Sequence, residues 1–196
     1  VKAYSTDPKT DFHQMVAGIC DIPRSQAKTI NLALMYGMGQ TKLAEQLDVT
    51  TDEAKRLMGQ YHKNVPFVKE LQDVVQRRVG KKDGGGFIRS LLGRKCRFDL
   101  WEPNMFVSSR ALQKDQALIE YGDNIKRAYT YRSLNRLIQA SAADQTKASM
   151  VAIYKETKKI PLVQIHDELA FSVENQAEAE SLCKIMEDAV KLEVPT

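Results

Sequence analysis

Cysteine is scarce in this chain, with only Cys20, Cys96 and Cys183 among 196 residues. They lie far apart, one is necessarily unpaired within the chain, and none forms a CxxC or Cys/His cluster. A disulfide framework and a structural zinc site are therefore not expected, and the three read as reduced, intracellular thiols. Long apolar runs are also missing. None approaches the ~20 residues that span a bilayer, and the N-terminus lacks the basic, apolar and small-residue succession of a secretory leader. No phosphate loop is present either: the triple glycine Gly84 to Gly86 lacks GxxxxGK[ST] spacing and has no apolar strand before it, so it reads as a hinge or turn.

What remains is an ordinary globular composition, 43% hydrophobic and 28% charged, long enough to bury a sizeable core. The net charge of +4 is mild, but the basic residues bunch. One cluster is Arg77, Arg78, Lys81 and Lys82, a second Arg94, Lys95 and Arg97, and a third Lys126, Arg127, Arg132 and Arg136. Such clustering suits a polyanion, although a solvated helix face explains the first equally well. Tyr121, Tyr129 and Tyr131, interleaved with the third, favour nucleic acid there.

Most of the chain reads as helix. Good helix formers run from Arg24 to Met38 between Pro23 and the stop signals Gly37 and Gly39. A short helix is expected over Thr41 to Leu47, and another opens with Thr51 as its N-cap, carrying Ala54, Leu57, Met58 and Tyr61 at helical spacing. Pro66 ends it, and a further helix reaches about Val79. "GFIRSLLGRKCRF" predicts a hairpin, with Phe87 to Leu92 extended and Gly93 at the turn. Asp99 to Tyr131 shows no clear period. A long helix from about Leu134 to Lys155 precedes "IPLVQIHDELAFSVE", which reads as strand, tight turn, strand, and a last helix over Asn175 to Val190 covers one face of that hairpin.

Two features carry chemistry. Asp167 and Glu168 fall at the turn between two apolar strands, whose burial would hold the carboxylates rigidly and leave one side open. Such a pair suits a hard cation such as Mg²⁺, although acidic residues are also common in plain turns. Arg24, Lys28, Leu32 and Tyr36 recur every four residues, so a helix puts them on one stripe. Two cations followed by an apolar side chain and a ring match a nucleoside triphosphate laid along the helix. A basic helix start with its apolar side in the core is the competing account. Cations at a helix N-terminus oppose its dipole, which calls for an anion there.

These residues carry a family resemblance. "RSQAKTINLALMYGMG" resembles the fingers helix of family A DNA polymerases, "LVQIHDELAFSV" resembles their palm motif, and "NRLIQASAADQTKASM" resembles the helix before it. Weaker matches, "DFHQMV", "YHKNVPFV" and "GFIRSLLGRKCRF", fall in family order, so the resemblance covers essentially the whole chain. It implies an α+β fold: a helical fingers subdomain over 1–102 and the C-terminal part of a palm over 103–196, with a short antiparallel hairpin. It implies template-directed DNA synthesis from deoxynucleoside triphosphates on primer-template DNA with two Mg²⁺ ions. His13, Arg24 and Lys28 would contact the triphosphate, with Lys28 also neutralising or protonating the leaving pyrophosphate. Leu32 would face the sugar, Tyr36 would stack at the insertion site beside the template, and Gly37 would leave room for the base. Asn135 and Gln139 would read the minor groove, whose shared acceptors test pair geometry and not sequence. His166 would lie near the primer terminus, Arg94, Arg97 and Arg136 would bind DNA, and Asp167 and Glu168 would hold metal.

The chain also departs from the family pattern. Leu32 stands where relatives have Phe or Tyr, so sugar discrimination should differ. The short interval from His13 to Arg24 resembles phage replicative members, which implies the cytoplasm of a bacterial host. Phe98 to Asn135 is longer than in most relatives. The family's first metal-binding aspartate motif is not in this sequence, and the chain stops where a closing strand would begin. An internal fragment, inactive alone, is the expectation. A non-catalytic helical nucleic-acid-binding module is the alternative, and a metal-dependent nuclease fits less well, because one Asp-Glu pair supplies too few ligands.

Overall fold

The computed structural model describes residues 6, 7, 9–81, 85–105 and 109–192; Lys82 of the first basic cluster and Gly84 of the triple glycine lie outside the described residues. The α+β expectation holds: helices dominate, accompanied by three small antiparallel sheets. Two compact units divide the chain. One comprises Asp11–Arg89 and Lys95–Leu137, the other Val1–Thr10, Ser90–Arg94 and Ile138–Thr196.

The first unit begins with five helices, α1 (Phe12–Cys20), α2 (Arg24–Met35), α3 (Gln40–Leu47), α4 (Thr51–Asn64) and α5 (Pro66–Gly80). Their apolar stripes meet in one core of Val16, Ala27, Ile30, Leu34, Leu43, Leu57 and Tyr61. Helix starts are set by local chemistry. The Asp11 carboxylate accepts from the N–H groups of His13 and Gln14 and caps α1. Thr50, and not Thr51, caps α4, its hydroxyl accepting from Glu53 N. Thr51 is the first helical residue, so the cap lies one residue earlier than the acidic first turn suggests.

Beyond α5, β1 (Phe87–Arg89) pairs with β2 (Lys95–Arg97), Ile88 facing Cys96. Gly86 precedes β1 with φ +86°, an angle that favours glycine, and a Cβ there would also displace the Arg127 guanidinium. The expected strand to Leu92 stops at Arg89 because Ser90 closes the turn itself: its Oγ accepts from Arg94 N and its carbonyl from Gly93 N. Leu91 and Leu92 consequently stand exposed on that turn.

The segment without a legible period forms a sheet of β3 (Leu100–Pro103), β4 (Leu112–Gln113) and β5 (Ile125–Arg127), with β3 central and α6 (Lys114–Tyr121) beside it. Trp101, Leu112, Ala117 and Ile125 make its core. Tyr121, read as interleaved with basic residues for nucleic acid, instead packs on this core and donates its hydroxyl to the Arg110 carbonyl.

In the second unit lie most of α7 (Ser133–Thr157), the hairpin of β6 (Val163–Ile165) and β7 (Glu168–Ala170), and α8 (Gln176–Asp188), capped by Asn175. Leu182 and Ile153 are buried, but Leu169, Phe171 and Val173 face Ala179 and Met186 of α8 across a cavity of about 190 Å³. The hairpin strands are not buried as expected: Val163 is 47% and Ile165 55% exposed. A two-stranded ribbon has two faces, and α8 addresses only the one carrying Leu169.

Arg94 and Asp144 anchor the turn of 90–94 to α7 within this unit. Arg94 Nε donates to Asp144 Oδ1 at 2.8 Å and Nη2 to the Ala140 carbonyl at 2.9 Å. Burial pushes the Asp144 carboxyl up, but hydrogen bonds from Ser90, Arg94 and Leu92 N outweigh it and hold the pKa below the usual carboxylate value. Its stabilisation is therefore complete above the unfolded pKa of about 3.9 and is lost as pH falls through the lower folded value. We expect Asp144→Ala to cost about 1–3 kcal/mol in denaturant unfolding at pH 7, with the difference from the parent shrinking below about pH 4. Equal stabilities at pH 7 would refute this. The three cysteines are unpaired thiols, and burial raises the pKa of Cys20, leaving it inert. Among the described residues no helix is long and apolar enough to cross a membrane.

Candidate active site

Helix α2 ends at Met35 rather than at the expected Met38; it presents Arg24, Lys28 and Leu32 as one exposed row that continues to its C-cap Tyr36, with Ala27, Ile30, Asn31, Ala33 and Leu34 buried behind it. Leu32 is 37% and Tyr36 42% exposed, so Leu32 does not fill the helical core. The row begins beside Pro23, which supplies no side-chain cap. An anion does stand there, and it comes from the chain itself. Arg24 donates from Nε at 2.7 Å and Nη2 at 2.6 Å to Asp11 Oδ2. Backbone hydrogen bonding from Gln14 and the Arg24 guanidinium hold the Asp11 carboxyl below its ordinary pKa.

His13, on α1, is tied to α2 by a 2.8 Å contact between its Nδ1 and Asn31 Nδ2. An amide nitrogen can only donate, so with this amide orientation Nδ1 accepts and the ring proton of neutral His13 sits on Nε2. A ring N–H donor suits a phosphate oxygen. Asn31 is 1% exposed. Its place as a polar residue on the buried face of α2 is the sequence signal that could have found it, as Asp before "FHQ" could have found Asp11.

After α2 the chain turns at Gly37, whose φ is +70° and where a Cβ would fall 2.9 Å from the Tyr131 carbonyl oxygen. Any other residue would strain the turn and push Tyr131 aside. Tyr36, Gly37, Tyr131 and Arg132 line a cleft of about 450 Å³.

In the second unit, Ile165 faces Glu168 across the β6–β7 hairpin, leaving His166 and Asp167 as a two-residue turn. His166 has φ +53°, an uncommon angle for a side-chain-bearing residue, and its carbonyl accepts from Gln164 Nε2 at 3.0 Å. Asp21 and Asp48, also left-handed, are helix C-caps, a role that His166 does not have. Asp167 and Glu168 are exposed neighbours, and among the described residues no group of three His, Cys, Asp or Glu side chains could enclose a metal. The donors themselves are right for Mg²⁺, which takes one or two carboxylates and fills its other positions with water or phosphate.

The expected DNA-contacting residues are dispersed. Asn135, Arg136 and Arg97 belong to the first unit, Gln139 and Arg94 to the second. Arg136 Nη1 donates to the Arg97 carbonyl at 2.7 Å, and its guanidinium lies 4.9 Å from the Phe98 ring centre. Arg94, bound to Asp144, keeps 46% of its side chain in solvent. His13, Arg24, Lys28, Leu32, Tyr36 and Gly37 all lie in the first unit, and His166, Asp167 and Glu168 in the second.

A cationic-to-aromatic helix row and an acidic hairpin turn are what the family A resemblance implies, and comparison with known proteins decides it. The sequence model of DNA polymerase family A matches residues 3–196. The chain belongs to DNA polymerase family A. Among its family A relatives, a DNA-directed DNA polymerase of Pseudomonas phage M6 is 33% identical, over 98% of this chain and 30% of that protein. DNA polymerase I of Helicobacter pylori strain 26695 is 32% identical, over 88% of this chain and 18% of that protein. A solved structure, the POL domain of Pol1 from M. smegmatis in complex with DNA primer-template and dNTP, superposes with a TM-score of 0.72 at 29% identity. The match covers 99% of this family A chain and 33% of the solved one. The chain thus spans less than a third of the length of these two curated relatives.

Proposed function

We propose that this chain supplies the nucleotide-binding face and part of the metal-binding site of a DNA polymerase, which extends primers by template-directed nucleotidyl transfer from deoxynucleoside triphosphates. Residues 1–102 act as the fingers and 103–196 as the C-terminal part of the palm. The observation that carries this reading is the solvent-facing order of Arg24, Lys28 and Leu32 on α2 and of Tyr36 at its C-cap. Two cations followed by an apolar side chain and a ring present, in order, the groups that phosphates, sugar and base would meet.

In this reading Arg24, Lys28 and the Nε2–H of His13 bind the triphosphate, and Lys28 neutralises or protonates the departing pyrophosphate. Leu32 and Tyr36 meet the sugar and base, and Gly37 leaves space for the base pair. Asn135 and Gln139 test minor-groove geometry, while Arg94, Arg97 and Arg136 hold the duplex backbone. His166 lies near the primer terminus. Asp167 and Glu168 would hold Mg²⁺, which would supply Lewis-acid stabilisation of developing charge. Primer extension with deoxynucleoside triphosphates by a full-length protein carrying this segment is the direct test; no extension with any divalent cation would defeat the reading.

Leu32 gives a sharper test. Leucine offers neither a flat face to a sugar nor a donor to replace the missing 3′-hydroxyl of a dideoxynucleotide. Because Leu32 is exposed, tyrosine can be accommodated there without overpacking the core. We expect Leu32→Tyr to relax discrimination against dideoxynucleotides tenfold or more, about 1.4 kcal/mol in differential transition-state binding. Single-turnover competition measures it, and an unchanged ratio in a folded variant removes Leu32 from the nucleotide site.

A further inference from the structure

The segment from Lys126 to Arg132 lies between two clefts of the first unit. Lys126, Arg127 and Thr130 join Asp73, Gln76 and Arg77 of α5 around a cleft of about 640 Å³. Tyr131 and Arg132 line the smaller cleft that also holds Tyr36 and Gly37. Between them stands an exposed aromatic ladder. The Arg132 guanidinium lies 5.0 Å from the Tyr129 ring centre and 5.3 Å from that of Tyr131, and its Nε donates to the Tyr131 hydroxyl at 3.0 Å. The two rings are 40% and 44% exposed. Tyr129 is held at φ +58°, a strained angle for an aromatic residue. Its surroundings enforce that angle: Ala128 N donates to the Leu100 carbonyl and Arg132 N to the carbonyl of Tyr129 itself.

Internal stacking explains the compactness of this ladder but not why it faces solvent. Flat π-surfaces alternating with a guanidinium, with a basic cleft at one end, are the elements that bind single-stranded nucleic acid: bases stack on the rings and phosphates follow the cations. Two carboxylates temper the field, Asp73 in the larger cleft and Glu102, 3.7 Å from Lys126 Nζ. Arg127 is committed elsewhere, donating to the Lys81 and Phe98 carbonyls and stacking on Trp101. Arg77, whose Nε donates to the Asp73 carbonyl at 3.1 Å, Lys126 beside Glu102 and Arg132 on Tyr131 each use one donor there and keep further N–H groups to meet phosphates.

We propose that Tyr129, Tyr131 and Arg132 form a track for unpaired bases of the template strand, leading from the cleft beside Tyr36 and Gly37 to the basic cleft of Arg77 and Lys126. This rests on the polymerase reading, which puts the templating position beside Tyr36.

The test uses a full-length polymerase carrying this segment and two DNA duplexes of identical paired region, one blunt and one with a ten-nucleotide 5′ template overhang. Fluorescence anisotropy should show that the overhang tightens binding. Tyr129→Asn, which removes the ring but suits left-handed backbone, should weaken overhang binding about tenfold and leave blunt-duplex binding unchanged. Tyr129→Phe keeps the π-face and should bind as the parent does. Arg77→Ala should lower the salt slope for the overhang substrate by about 0.7, one single-strand phosphate contact. An overhang that adds no affinity, or a melting-verified Tyr129→Asn variant that binds it as tightly as the parent, would overturn the track. Failure of the polymerase reading is a separate result: the unmodified protein would extend no primer, whatever its affinity for the overhang.

Discussion

Asp167→Asn in a full-length polymerase carrying this segment should slow the chemical step about a thousandfold or more, which corresponds to about 4 kcal/mol of lost transition-state stabilisation. Asparagine keeps the shape of aspartate and removes its charge. A neutral amide cannot balance divalent cations as a carboxylate does, so the loss falls on chemistry. Asp167 is exposed, and its turn is fixed by pairing across β6 and β7 and by the Gln164 amide on the His166 carbonyl. Folding and DNA affinity should both survive. Single-turnover primer extension is the measurement, with anisotropy and thermal melting beside it. Extension within tenfold of the parent would remove Asp167 from the metal site.

Lys28→Ala should lower kcat/KM for the incoming nucleotide about a hundredfold, roughly 2.7 kcal/mol, through a higher KM and a slower chemical step together. Lys28 is an exposed helix residue and alanine is a strong helix former, so stability should hardly change. Primer-template affinity should stay within about twofold, because the proposed duplex contacts lie on other elements. The opposite pattern, weakened DNA binding with unchanged nucleotide KM, would make the α2 row a duplex-binding face.

Much of this was legible in the sequence because the decisive signals are local. The four-residue recurrence of Arg24, Lys28, Leu32 and Tyr36 needs only a helix to become one exposed row, and α2 is that helix. "IHDE" needs only a two-residue turn to bring its acids to a hairpin tip. Three things were not legible. Strands of two to four residues, such as β4 and β3, are too short to show alternation, so the sheet around Trp101 left no period to read. Partner choice between distant residues is invisible to spacing: Asp11 and Arg24 are 13 positions apart, and Arg94 and Asp144 are 50 apart. Finally, apolar character alone did not fix burial in β6, because a pattern shows which face could be covered and not whether anything covers it.

The shared carboxylate of Asp11 has a consequence for how Arg24 would meet a phosphate. One oxygen, Oδ1, holds the start of α1 through His13 N and Gln14 N, while the other, Oδ2, holds Arg24. The duties are separable, so Arg24 can leave Oδ2 without uncapping α1. What it gives up is an ion pair open to solvent, which screens it and leaves it weak. Arrival of an anion is thus an exchange of partners rather than the filling of a vacancy. A simple anion reaching Arg24 alone gains little over the carboxylate it displaces. A ligand long enough to engage Lys28 as well would gain a second cation, one with no such resident carboxylate among the described residues, and the latch would then open in favour of polyphosphates.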